Sequence, residues 1–400
     1  MSSTRAFRIC AASVLLLAFV QCGNEVFTSN AMDAGALDGG PGDASTEAGP
    51  DATADPELCA DDEPNDAGPT SGLNTVQCGD SSVLVKDNPL ACGSCAHVCT
   101  PLACAGLACG TERLAPGGGG NVMAGADDAS VYWLGGAGGT GLYRAAAPDA
   151  TAAIFVYDGG TGVSAAQIAP GEVWVAAFSG DLFVVNPNDG QARLVLSDPK
   201  GISLLAIDEA SVYFYAPGGT LKRVSKDGGT LASAEPLSAA PVTALAADKW
   251  GQAWSVSGAD GGAASIHLRN AAGMATTPIP ASNPNGLALT SRYVYWVDGG
   301  VLYRARRDLA DPRAVRTGSW DATLTKSNGI AVDDDYVYWS ITDAAQTNFF
   351  QIVRTPRCGG PTLLVATPEV GTSGPVVGGG FFYWNQVNGF GNTGAVARSR

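Results

Sequence analysis

The sequence predicts an all-β fold on three observations. A polar or acidic turn followed by an apolar-aromatic strand returns seven times between Asn121 and the carboxyl terminus. The last large apolar residue of each copy falls at 133, 175, 214, 254, 296, 339 and 384, spacings of 39 to 45 residues. Glycine accounts for 53 of 400 residues and charged residues for only 15%, a composition for short strands and tight turns rather than helical bundles. A period near forty with four short strands per unit marks a propeller blade. The expected architecture is therefore a seven-bladed β-propeller of four-stranded blades.

The repeat is clearest in Asp127-Asp128-Ala129-Ser130-Val131-Tyr132-Trp133, Asp208-Glu209-Ala210-Ser211-Val212-Tyr213-Phe214, Ser291-Arg292-Tyr293-Val294-Tyr295-Trp296 and Asp333-Asp334-Asp335-Tyr336-Val337-Tyr338-Trp339. Weaker copies read Glu172-Val173-Trp174-Val175, Gln252-Ala253-Trp254 and Phe381-Phe382-Tyr383-Trp384. An inner strand such as Gly329-Ile330-Ala331-Val332 precedes the aromatic one. A glycine turn such as Asp298-Gly299-Gly300 follows it, then a third strand like Val301-Leu302-Tyr303-Arg304. A fourth, such as Thr362-Leu363-Leu364-Val365, ends the unit. Alternation along these runs predicts sheets buried on both faces.

The last unit stops after its third strand, Ala395-Val396-Ala397-Arg398, and Glu112-Arg113-Leu114-Ala115 lines up with the fourth strands of other units. The N-terminal stretch is thus expected to complete the last blade and close the ring, which otherwise leaves an open sheet edge. The Val-Tyr-Trp strand and Lys226-Asp227-Gly228-Gly229 make the units similar to YWTD-type propellers of bacterial envelope proteins, over about 280 residues. Receptor versions carry Thr-Asp after Tyr-Trp. Here Leu134, Val297-Asp298, Ser340 and Asn385 follow, so the receptor ligand mode does not transfer.

Ahead of the repeats, the chain divides into residues 1–22, 23–57 and 58–110, with the propeller at 111–400. Arg5 and Arg8 with the apolar run Ile9–Val20 form an export signal too short to span a bilayer as a helix. Cys22, after Leu17-Ala18-Phe19-Val20-Gln21, resembles the acylated cysteine of a bacterial lipoprotein lipobox, although Gln21 stands where that motif has Gly, Ala or Ser. The alternative is an ordinary cleaved signal with an incidental cysteine. Either reading sends the protein out of the cytoplasm, as an outer-membrane lipoprotein or an extracellular protein. Residues 23–57 are dominated by Ala, Gly, Asp and Pro, which predicts a disordered stalk.

Ten cysteines include Cys10 in the signal and Cys22. The other eight are Cys59, Cys78, Cys92, Cys95, Cys99, Cys104, Cys109 and Cys358. The run from Cys92 to Cys109 could cage zinc or an iron–sulfur cluster, or form disulfides. An oxidising compartment favours disulfides, with Cys358 reaching back to the run or staying free. Asp87–Cys99, with Gly106-Leu107-Ala108-Cys109, resembles a small module of myxobacterial surface proteins, which implies a cell-envelope setting and no activity.

The net charge of −15 excludes electrostatic attraction to nucleic acid and to anionic headgroups. The membrane is reached only through the lipid anchor, and a monomer is expected. With only His97 and His267, hydrolytic triads and zinc sites lack their usual residue. His267, in the alternating run Ser265–Arg269, is expected to face solvent. The acidic turns at Asp127, Asp128, Asp208, Glu209 and Asp333–Asp335 admit Ca2+. However, equivalent turns of different blades lie far apart, and Asp side chains shape such turns themselves. Asn285-Gly286 and Asn328-Gly329 precede inner strands, so Asn285 and Asn328 are candidates for the channel mouth or simply for turns. Gly117–Gly120 lacks the context of a phosphate loop.

No catalytic constellation or resident cofactor is expected. The function read from the chain is a binding or scaffolding module for a protein or glycan at the cell surface. The alternative is a propeller enzyme of the metal-dependent lactonase or lyase type. If all eight cysteines are bridged, alkylation without reductant labels no thiol among them; a labelled thiol or a bound zinc ion, seen by mass spectrometry, contradicts that pairing.

Overall fold

In a computed structural model, the structure describes residues 75–78, 81–84, 104–105, 108–109, 112–118 and most of 122–399. Among these, secondary structure is strand and turn throughout. The chain forms a β-propeller of four-stranded blades. Six blades are each built from one continuous stretch, at 122–158, 163–197, 204–238, 242–281, 284–319 and 324–366. They are numbered 1 to 6 here in chain order. The sequence predicts seven such units. The last repeat instead supplies three strands, Val376–Gly378, Phe381–Val387 and Thr393–Ser399, and Glu112–Gly118 pairs antiparallel with the third of them.

Within each blade the strands follow chain order from the inner edge outward, all antiparallel. Blade 6 departs from this: its inner edge is split into Leu324–Lys326 and Ile330–Val332, both paired with Tyr336–Asp343. Apart from the propeller, Thr75–Cys78 pairs with Ser81–Leu84, and Cys104–Ala105 with Ala108–Cys109.

Side-chain alternation joins the sheets. In the second strand of blade 5, Val294 and Trp296 pack back onto blade 4, whereas Tyr295 packs forward onto blade 6. In blade 6, Val337 and Trp339 likewise point back to blade 5, and Tyr338 forward onto Phe382 and Trp384 of the last sheet. The same holds for blade 1, where Tyr132 meets blade 2 and Trp133 meets Phe381 and Tyr383 of the last sheet. Each successive pair of sheets therefore shares one apolar cluster, and the last shares one with the first. The period of two in the Val-Tyr-Trp motif is what sends its aromatics to two different neighbours.

Toward the axis the sheets converge, and small residues become necessary. A Cβ on Gly329 would lie 2.4 Å from the Cα of Gly374, which leads into the inner strand of the next sheet. Cations also reach from blade to blade. Arg144 of blade 1 donates to Asn188 of blade 2 at 3.2 Å. The buried Asp198 after blade 2 takes Lys222 of blade 3 at 2.9 Å. Arg269 of blade 4 meets Glu235 of blade 3 at 3.1 Å. Arg307 of blade 5 grips Asp248 of blade 4 through two bonds of 2.6 and 2.9 Å. Arg304 of blade 5 donates to the Arg357 carbonyl of blade 6 at 2.6 Å.

Trp296 is buried at 1% exposure, while Leu194 is 53% exposed on an outer strand. Trp296→Ala is expected to destabilise the protein by about 3–5 kcal/mol, and Leu194→Ala by no more than about 0.5 kcal/mol. Denaturant unfolding of both variants checks this difference.

Candidate functional site

The inner strands surround a cavity of ≈ 550 Å³. Its wall draws on the inner strand of every sheet and is largely aliphatic, with Met123, Ile168, Leu204, Leu245, Leu287 and Ile330 among its residues. Gln167 and Asp248 are the polar side chains on this wall. Asp248 is already committed, because its carboxylate takes both Arg307 nitrogens and the Trp250 backbone N–H at 2.8 Å. Arg307 also donates to the Thr290 carbonyl at 2.9 Å, so the guanidinium is held from two sides. Charge-assisted, bidentate pairing of this kind fixes geometry as well as charge.

Inner strands all begin at one mouth of this channel and end at the other. Asn285 lies at the beginning mouth, half-buried, in the strand Pro284–Leu289. Its amide Nδ2 donates to the Asn283 carbonyl at 3.0 Å. The Asp298 carboxylate accepts the backbone N–H groups of Ser282 and Asn283 at 2.7 and 2.9 Å, closing the same turn. Gly286 has φ +63° and makes the β-bulge between Asn285 and Leu287. Asn285 thus builds the mouth rather than projecting a free amide into it. Asn328 lies outside the described residues, as do Cys22, Cys59, Cys92, Cys95 and Cys99.

Cys78 lies in the Thr75–Cys78 strand, and Cys104 and Cys109 sit opposite each other in their hairpin. Cys358 follows the third strand of blade 6 and is disulfide-bonded.

The acidic turns lie at the ending mouth, and their carboxylates serve the backbone. Asp127 accepts the N–H groups of Ala129 and Ser130 at 2.8 and 2.6 Å. Asp208 accepts those of Ala210 and Ser211 at 2.7 and 2.6 Å. Asp333 accepts those of Asp335 and Tyr336 at 2.9 and 2.7 Å. Each carboxylate is the side-chain half of an Asx-type turn. Among the described residues no three His, Cys, Asp or Glu side chains converge as a metal cluster.

The second Asp208 oxygen accepts the Tyr213 hydroxyl at 2.6 Å. Burial, then this bond, pushes the Tyr213 phenol up to about 12. Burial also raises the Asp333 carboxyl and holds the Tyr338 phenol well above its usual value. Across the sheet an arginine faces each such tyrosine. Tyr132 pairs with Arg144, Tyr213 with Arg223, Tyr295 with Arg304 and Tyr338 with Arg354. In the two blades without this tyrosine, the positions hold Trp174 opposite Val184 and Ala253 opposite Leu268. Sequence reasoning passed over this pairing, although third strands such as Leu142-Tyr143-Arg144 and Leu302-Tyr303-Arg304 carry its signal.

Trp250 and Met274 also escaped the sequence reading. Both lie on the ending side of blade 4, Trp250 in the turn after the inner strand and Met274 between the third and fourth strands, and they are 51% and 64% exposed. Their backbones are pinned. The Trp250 N–H donates to Asp248, and its carbonyl accepts the Ala271 N–H at 3.0 Å. The Met274 N–H donates to Asn270 Oδ1 at 2.9 Å, and its carbonyl accepts the Asn270 N–H at 3.0 Å. Lys249 lies over the Trp250 ring at 5.3 Å.

His267 sits on the face of its strand opposite Ile266 and Leu268, as alternation requires, but that face is not open. The indole of Trp254 stacks on the imidazole, with centroids 5.3 Å apart and planes 8° apart. The expected solvent-facing histidine is thus half-buried, because a tryptophan is its cross-strand partner.

No protein-family model matches the chain, and no curated protein sequence matches it. Solved structures are similar in fold. One, described as the crystal structure of the mitotic checkpoint complex, has 9% identity and a TM-score of 0.53, covering 72% of this chain and 92% of that one. Another, described as the structure of U3-55K, has 11% identity and a TM-score of 0.52, covering 72% and 98%. At this identity the likeness concerns the fold alone.

Burial lowers the His267 pKa. As pH falls through about 6.5, the unfolded chain takes up this proton first. Stability is therefore lost from there down to the folded-state value and is flat in this term above 6.5. His267→Phe, which can still stack on Trp254, is expected to lose less melting temperature than the wild type between pH 7.5 and 5. Equal losses in thermal melts would remove His267 as a source of acid sensitivity.

Proposed function

We propose that the protein is a seven-bladed propeller exported to the cell envelope, where it binds a protein partner rather than catalysing a reaction. The last three strands with Glu112–Gly118 count as the seventh blade in this reading. The apolar clusters that run from sheet to sheet and return to the first support that count. The signal-like N-terminus and Cys22 support an outer-membrane lipoprotein, tethered by residues 23–57. Disulfides in the 58–110 module suit that compartment.

One observation carries the binding role: two exposed apolar side chains, Trp250 and Met274, stand on neighbouring hydrogen-bonded turns of blade 4. Tryptophan dominates interface energetics, and a fixed backbone lowers the ordering cost of using it. Methionine adapts its shape to the partner. The Asp248 carboxylate beside Trp250 is occupied by Arg307 and a turn N–H group, so the exposed chemistry at these two turns is apolar.

The test uses the full-length protein in its own cells. Cross-linking should give one dominant protein adduct, and Trp250→Ala should weaken capture about thirtyfold, a loss of about 2 kcal/mol. The melting temperature should not move. Adduct formation indifferent to both Trp250→Ala and Met274→Ala would reject this surface. Labelled palmitate should enter the wild type and not Cys22→Ala.

A further inference from the structure

The disulfide at Cys358 has a restricted choice of partner. Every other cysteine of the chain lies at or before position 109, so the bond ties blade 6 to the segment that precedes the propeller. The turn that presents Cys358 is unusually well anchored. The Arg357 N–H donates to the Asp335 carbonyl at 3.0 Å, and Arg357 Nη1 to the Asp334 carbonyl at 2.8 Å. The Arg357 carbonyl accepts Arg304 from blade 5, and the Gly359 N–H closes the turn on the Pro356 carbonyl at 2.9 Å.

The same place receives the incoming chain. The short strand Ala108–Cys109 runs beside Leu363–Ala366, the outer strand of blade 6. Three residues after Cys109, Glu112 pairs with Arg398 and opens the strand that completes the last sheet. Antiparallel pairing puts Glu112 at the end of that sheet where third strands lead into fourth ones, and Cys358 sits in such a turn of the adjoining blade.

We propose that Cys358 is cross-linked to the Cys104–Cys109 hairpin, and that this bond latches the closing strand Glu112–Gly118 onto the propeller. This inference rests on the closed-ring and export readings above. Making the bond takes two electrons and two protons from two thiols, passed by exchange to a disulfide oxidant of the exporting compartment. The bond fixes the entry point of the closing strand, so a strand that opens stays beside its partner and re-pairs. Reduction would release the ring at one seam only.

Peptide mapping of the full-length protein without reductant should find the Cys358 peptide joined to the peptide holding Cys104 and Cys109. Fragmentation of that peptide should place the join at Cys104 or Cys109; a join to Cys59, Cys78, Cys92, Cys95 or Cys99 overturns the assignment. Hydrogen exchange then separates the two readings. In the oxidised protein, amides of 112–118 should be protected; if they exchange freely, the closed ring itself fails. Cys358→Ser should strip that protection at least tenfold and lower the melting temperature by about 5–10 °C, while blade 3 amides keep theirs. If 112–118 stay equally protected in Cys358→Ser, the ring stands and the latch is rejected.

Discussion

Every blade depends on its neighbours because the two faces of its second strand are buried against different sheets. A four-stranded antiparallel sheet with aromatics on both faces has no stable existence alone, since neither face can be left in water. Tyr295 and Trp296 are adjacent in sequence, yet each fills a different inter-blade cluster. This alternation turns a string of hairpins into a cooperative ring. It also sets the crowding at the axis, where Gly329 meets Gly374 and Gly378 meets Ala126. Bulk belongs in the middle of each blade and is excluded from its inner edge.

Polar chemistry is used sparingly and in the same neighbour-to-neighbour sense. The cations at Arg144, Lys222, Arg269, Arg307 and Arg304 each contact an adjoining blade or the loop that leads to it. Lys222 with Asp198 is a largely buried ion pair between blades. Such a pair gains little net stability over an apolar one, but losing one partner leaves a buried charge, so it specifies which blade sits beside which. The acidic turns act within their own blades, by replacing missing backbone partners. The surface acidity of the chain therefore has a structural origin before any functional one.

Much of this was legible in the sequence because period two and period forty are both linear signals. The second strands and their turns could be placed from residue order alone, as could the alignment of Glu112–Ala115 with fourth strands; that stretch pairs with Thr393–Ser399. Blade 6 resisted, since Leu324–Lys326 and Ile330–Val332 share one partner strand and no pattern marks the interruption. His267 was expected to face solvent, but alternation says nothing of what covers a face, and the Trp254 that stacks on it comes from another strand. Trp250 was missed for the opposite reason. Tryptophan in a repeat reads as core, and only three dimensions show that this one caps a turn. The candidate site was legible at Asn285 as a position and not as a role, because the hydrogen bond to Asn283 depends on turn geometry.

In the proposed closed ring, a strand from the far end of the chain concentrates risk at one seam. The strand Glu112–Gly118 pairs with Thr393–Ser399 across the whole length of the propeller between them, and loop entropy opposes that meeting. That entropy grows only logarithmically with length, so a very long loop is little worse than a moderate one. The greater hazard is fraying, because a terminal strand has no covalent restraint on its free side. Here the chain continues back into a cysteine-bearing hairpin beside blade 6, and the turn of blade 6 holds a bonded cysteine. A covalent restraint placed there acts where local opening is cheapest, which is where a single bond changes the behaviour of the ring most.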